Sequence, residues 1–217
     1  MKLPFSSNKT FALAISSLVA LSLCQAADAP AYTGTPYGGK PQEIPGVIQA
    51  GNYDVAPSNA MDITQHRKGT PKPGKARTTG DCIGFGGFDG SHYDAKGKKL
   101  SQTGFYVGWT DAGDWWKYTV KVNDAGTYDL GAHLSSGRGA GKISVTFTPL
   151  NPAGADITAA ADIPTSVGLV PGVETYHVWQ DLTKLAQVKL TPGTYVMTVK
   201  IETTGGMNLD TFTFTKE

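Results

Sequence analysis

From Tyr106 to the C-terminus, apolar residues recur at alternate positions in a series of short runs broken by Gly, Pro, Asn and Asp. No other feature constrains the fold as strongly. Side chains on a strand alternate between two faces, so a period of two marks a half-buried strand, whereas a helix needs its apolar stripe at a period of 3.6. Strands are predicted over residues 47–50, 116–122, 127–134, 142–148, 177–182, 188–190, 194–202 and 209–215. Turn signals separate most of them: Asn123-Asp-Ala-Gly126, Ser136-Gly-Arg-Gly139, Thr191-Pro-Gly193 and Thr203-Thr-Gly-Gly206. No convincing amphipathic helix of 12 residues or more lies beyond the N-terminal segment. The expected fold is all-β, a β-sandwich of jelly-roll type made of two antiparallel sheets.

The N-terminus is of a different kind. Lys2 and Lys9 flank the approach to an apolar run of about 13 residues, 11–23, and small residues follow at Ala26, Ala27 and Ala29. The run is too short to span a bilayer, and this order is that of a secretory signal peptide over residues 1–29. A secreted or periplasmic location is expected, with no membrane span in the rest. Cys24 lies near a lipid-attachment position, but Leu23 before it is larger than the small residue such sites carry. Residues 30–45 are dense in Pro and Gly, lack apolar periodicity and read as a tether. The domain proper is expected over 46–217, with a long loop insertion at about 55–104.

Without the signal, about 190 residues remain, enough for one domain with its own core. Cys82 is then the only cysteine, so no internal disulfide is available; beside Ile83 it reads as a packing residue. The balance of 19 basic against 18 acidic residues argues against nucleic acid as the main partner. The insertion holds Arg67, Lys68, Lys72, Lys75, Arg77, Lys96, Lys98 and Lys99, and reads either as a solvated excursion or as a lid that grips a ligand.

Two segments carry chemistry. Tyr106-Val-Gly-Trp-Thr-Asp-Ala-Gly-Asp-Trp115 leads an aromatic loop into a strand, and Gly205-Gly-Met-Asn-Leu-Asp210 places an amide after a glycine pair. Aromatic rings offer wide apolar faces at small entropic cost, and an Asn amide both donates and accepts. That combination suits a pyranose, which has C–H-rich faces and a rim of hydroxyls. Catalytic signatures are absent: the chain has no G-x-S-x-G, H-E-x-x-H, CxxC or phosphate loop. Asp111 and Asp114 form the only compact carboxylate pair within a motif, and three residues apart on a turn they read as turn-capping side chains. His66, His92, His133 and His177 are scattered without metal-ligand spacing.

Five segments, in order, carry a resemblance: Val47-Ile-Gln-Ala-Gly-Asn-Tyr-Asp54, Val107-Gly-Trp-Thr-Asp-Ala-Gly-Asp-Trp115, Ala125-Gly-Thr-Tyr128, Thr191-Pro-Gly-Thr-Tyr195 and Gly206-Met-Asn-Leu-Asp210. Their sequence and spacing, over about 170 residues, resemble family 6 carbohydrate-binding modules. The resemblance implies a sandwich that binds sugar in loops at one edge, with Trp109 and Tyr176 stacking on the ring, Asn208 hydrogen-bonding its hydroxyls, and Trp179 as a core residue behind Tyr176. From the use some members make of a concave sheet face, it implies a second cleft at Trp115. It also implies a structural calcium ion with Asp210 at one ligand position; Gly51 stands where the family usually carries a Glu ligand. The expected function is non-catalytic binding of a polysaccharide such as a β-glucan, xylan or agarose-like polymer, by a monomer that serves alone or targets a secreted partner enzyme. Two other readings stand beside it: an adhesion or matrix protein that binds an acidic glycan or a protein, and a polysaccharide lyase or hydrolase on a sandwich scaffold.

Overall fold

The computed structural model describes residues 31–57, 61–66, 84–151, 154–203 and 206–217. Among them are 13 strands: β1 (Gln42–Ile44), β2 (Gly46–Gln49), β3 (Gln65–His66), β4 (Gly84–Gly87), β5 (Tyr93–Asp94), β6 (Phe105–Gly108), β7 (Trp115–Val122), β8 (Gly126–Ser136), β9 (Gly141–Asn151), β10 (Ile157–Ile163), β11 (Val178–Leu190), β12 (Gly193–Thr203) and β13 (Met207–Lys216). One sheet runs β1-β7-β12-β9-β10 with β3 also on β7, and the other runs β4-β6-β13-β8-β11-β5 with β2 also on β13. The inward residues of each sheet are the alternate apolar ones. Trp116, Tyr118, Val120 and Val122 on β7 and Val145 and Phe147 on β9 meet Leu130, Ala132 and Leu134 on β8 and Phe212 and Phe214 on β13. Tyr118 packs edge-on to Phe212 at 6.5 Å, and Phe147 to Phe214 at 5.7 Å, so the two sheets close on one another through aromatic pairs. Burying each such side chain contributes about 1.5–3 kcal/mol.

The all-β sandwich is therefore observed, with several corrections of detail. Both sheets are mixed rather than purely antiparallel, because β1 runs parallel to β7 and β5 parallel to β11. The segments expected at 177–182 and 188–190 are one strand, β11, with a register shift between Leu182 and Ala186. β10 was not expected. Its Ala159, Ala161 and Ile163 do alternate inward, but Ala160 faces out, and alanine signals a strand weakly. The described part of the expected tether is docked rather than free: Ile44 is fully buried, β1 pairs with β7, and Thr35 exchanges backbone hydrogen bonds with Val55. Within 84–104 the loop is interrupted by β4 and β5 and buries His92. The signal segment, Cys82 and the basic residues between 67 and 77 lie outside the described residues. No helix among the described residues is long and apolar enough to cross a membrane.

Candidate functional site

Strand pairing brings three separated segments to one end of the β6-β13-β8 sheet. Leu209 pairs with Val107, two residues before Trp109, and Asn208 pairs with Ser135, next to the turn that joins β8 and β9. Just past β6, Trp109 takes a left-handed backbone conformation, φ 54°, and projects a ring that is 50% exposed. A side chain there costs about 1–2 kcal/mol, so the surrounding turn must enforce it. It does: Thr110 Oγ1 donates to the Met207 carbonyl at 2.9 Å, and the Asp111 N–H donates to Asp114 Oδ2 at 2.9 Å. Asp114 is fully buried, so its carboxylate caps the turn as the sequence indicated, while Asp111 contributes its backbone N–H and leaves its own carboxylate at the surface beside Arg138.

Tyr176 sits in a single 3₁₀ turn, Thr175–His177, that leads into β11. Its carbonyl accepts from Ser135 Oγ at 2.7 Å and from Asn208 Nδ2 at 2.9 Å, and its hydroxyl accepts from Arg138 Nε at 2.7 Å. Its ring lies against two glycines: a Cβ added at Gly137 would stand 2.5 Å from Tyr176 Cδ1, and one at Gly206 would stand 2.9 Å from Cε1. The ring is thus fixed at both ends and backed by main chain. Gly108 is small for a related reason, since its Cβ would stand 2.8 Å from Asn208 Oδ1.

Trp109, Tyr176 and Asn208 consequently line one cleft of about 260 Å³, together with Tyr106, Thr110, Arg138, Glu174, His177 and Gly206. Sequence reasoning missed these last six. Arg138 lies in a turn that was read only as a turn, and Glu174 and His177 flank Tyr176 without a motif of their own. The Arg138 guanidinium is 3.8 Å from Asp111, so the rim carries paired rather than single charge. Behind the cleft is a second aromatic cluster, separate from the sandwich core. Trp179, 1% exposed, contacts Phe88 at 4.8 Å, Tyr106 at 5.0 Å and His133 at 5.2 Å. Burial pushes the Tyr106 hydroxyl up to about 12. Trp179 is buried as expected, but under the 84–104 segment.

Trp115 does not join this cleft. It lies half-buried on the outer face of the other sheet, stacked on His66 at 5.9 Å and topped by Lys117 Nζ at 4.9 Å. A broad groove on that face is lined by Ser144, Thr146, Thr158, Thr198 and Lys200 among others, and Trp115 is opposite Lys200 at its margin. Asp210 is buried, and its Oδ2 accepts from Gln102 Nε2 at 2.6 Å. Burial pushes its carboxyl above the usual range. Its carbonyl accepts from the Ala50 N–H at 2.8 Å, and no three His, Cys, Asp or Glu gather as a metal site among the described residues. Gly51 supplies no side-chain ligand beside it.

The model of carbohydrate binding module family 6 matches residues 87–216, and the chain belongs to that family. Its fold is also that of solved modules. A β-1,3-glucan-binding family 6 module from Bacillus halodurans is 20% identical, with 81% of this chain and 98% of that chain covered and a TM-score of 0.53. A family 6 module from Clostridium stercorarium, solved with cellobiose, is 17% identical, with 82% and 99% covered and a TM-score of 0.51. A search of curated proteins finds no match.

Proposed function

We propose that this chain is an exported, non-catalytic module that binds a β-linked polysaccharide in the edge cleft, with Trp109 and Tyr176 against the sugar faces and Asn208 at its hydroxyls. The observation that carries this is the convergence of those three residues, distant in sequence, on one cleft of about 260 Å³. Asn208 spends one amide hydrogen on the Tyr176 carbonyl and keeps the other, with Oδ1, for a ligand. Tyr176, whose hydroxyl already accepts from Arg138, keeps its own O–H to donate. At about 1 kcal/mol per platform beyond area, and a little more for the hydrogen bonds, one sugar site gives roughly 0.01 to 1 mM affinity, useful mainly on a repeating polymer. The non-catalytic reading is supported by Asp114, whose buried carboxylate is engaged by the Asp111 backbone N–H and closes the turn. Export rests on the N-terminal charge and apolar pattern.

The test is retention of the mature protein on β-1,3-glucan, cellulose, xylan and agarose, for the wild type, Trp109→Ala and Asn208→Ala, at low salt and at about 1 M salt. Retention on one polymer that both substitutions abolish and salt leaves unchanged supports the cleft. Salt-sensitive retention moves the contact to the lysines, because the screening length falls from about 10 to 3 Å. No retention on any polymer sinks the reading.

A further inference from the structure

His92 lies under the cleft, and no proposed sugar contact uses it. It is 1% exposed, and its Nδ1 accepts from Trp179 Nε1 at 2.8 Å, which fixes the neutral ring with its proton on Nε2. One face stacks on His177, a cleft residue, at 4.2 Å and 28°. The segment that carries it closes on itself through Leu100 N–H to the His92 carbonyl and Asp94 N–H to the Lys98 carbonyl, both 2.8 Å.

We propose that the cleft is acid-gated: a proton taken up at His92 Nδ1 breaks the bond to Trp179 and loosens the 88–100 segment with His177, so that sugar affinity falls as pH drops. This rests on the sugar-binding reading of the cleft. Protonated His92 sets N–H against N–H at Trp179, and it places a cation among rings with little room for water. The groups facing His92 decide its charge. Burial is the largest influence and His177 the next, and both hold its pKa below the ordinary imidazole value. Asp89 Oδ1, 3.5 Å from Nε2, and Glu174 oppose them, but both carboxylates are well exposed, at 68% and 65%. Tyr106 stays neutral at 5.6 Å. His133 reaches His92 only through Trp179.

The sign follows. A lowered pKa means the closed form binds fewer protons than the open form below about pH 6.5, so the contribution of His92 to closure is fully present above that pH and weakens below it, by up to tenfold in the closing equilibrium per pH unit. Affinity follows the closed fraction, so it should fall from pH 7.5 to 5.0, by no more than about tenfold per pH unit below 6.5.

The experiment titrates β-1,3-gluco-, cello-, xylo- and agaro-oligosaccharides into the full mature chain across that range, for wild type and His92→Gln. The Gln amide can still accept from Trp179 but cannot titrate. In parallel, hydrogen exchange of peptides spanning 88–100 is measured without sugar and corrected for intrinsic rates. The gate requires acid-dependent affinity in the wild type, a flat profile in His92→Gln, and loss of protection in 88–100 ahead of the β-sandwich core. Binding with a flat wild-type profile overturns the gate and leaves the sugar site standing. A parallel fall in His92→Gln also overturns it. No binding of any oligosaccharide at pH 7.5 removes the site, and the gate with it. Should His92→Gln fail to fold, unchanged wild-type protection of 88–100 from pH 7.5 to 5.0 is sufficient to reject the gate.

Discussion

Replacing Trp109 by Gly and by Ala separates its two roles, because the two variants lose the same ring but differ in backbone. The ring is 50% exposed, so about half of its roughly 250 Å² is covered, and at about 25 cal/mol per Å² either variant loses about 3 kcal/mol of packing. The backbone then sets the order. At φ 54° an alanine still bears the left-handed penalty of about 1–2 kcal/mol, while glycine does not. Glycine loses about 0.5–1 kcal/mol more chain entropy on folding. The net is about 0.5–1 kcal/mol in favour of Trp109→Gly over Trp109→Ala, the reverse of the order inside an ordinary strand or helix. In a domain of this size that is a Tm difference of roughly 1–4 °C, readable by calorimetry. Both variants should lose more than tenfold in affinity for the retained glycan, since the exposed half of the ring is the proposed platform. An Ala variant as stable as the Gly variant refutes the left-handed placement. Undiminished affinity in both refutes the platform.

Three further outcomes are expected. Asn208→Ala leaves the Tyr176 carbonyl with Ser135 alone, so it should cost about 1 kcal/mol of stability, and a double-mutant cycle with Ser135→Ala should show positive coupling in urea unfolding, because both side chains hold one oxygen. Gly137→Ala pushes a methyl to within 2.5 Å of the Tyr176 ring, so calorimetric titration should show sugar affinity falling at least tenfold as the ring is displaced. Asp210→Asn should stabilise at pH 7 and not at pH 3. The carboxyl is held above its usual range by burial, so the stability it carries is present below about pH 3.9 and lost as pH rises through the folded value, at about 1.4 kcal/mol for each tenfold weakening of the acid. Equal urea midpoints for wild type and variant at pH 7 would count against that burial argument.

The sandwich was legible because β7, β8, β9, β12 and β13 carry their buried apolar residues in alternation, and binary alternation survives any uncertainty in strand ends. The cleft was legible for another reason: Trp109, Tyr176 and Asn208 stand in motifs whose order could be matched, and strand register brings them together. What stayed hidden has a physical cause in each case. β10 offers alanines, which fit either face. β1 is three residues between prolines, too short for a period to declare itself. The 84–104 segment packs through Phe88 and His92 against Tyr106 and Trp179, so its order comes from contacts that no local pattern encodes.

That segment also explains why an edge site made of loops can be rigid. A loop platform usually loses affinity through the cost of ordering itself when the ligand arrives. Here the ordering is spent during folding. Trp109 is held by a turn whose donors are tied to β13 and to Asp114. Tyr176 is held at its carbonyl, its hydroxyl and the back of its ring. His177 is stacked on a buried histidine that is itself bonded to Trp179. These restraints reach into two buried parts of the fold: the ends of β8 and β13, and the cluster under 84–104. Affinity in such a cleft depends on both parts staying closed, so substitutions beneath the cleft, in the Phe88–His92–Trp179 cluster, should weaken binding before they unfold the sandwich.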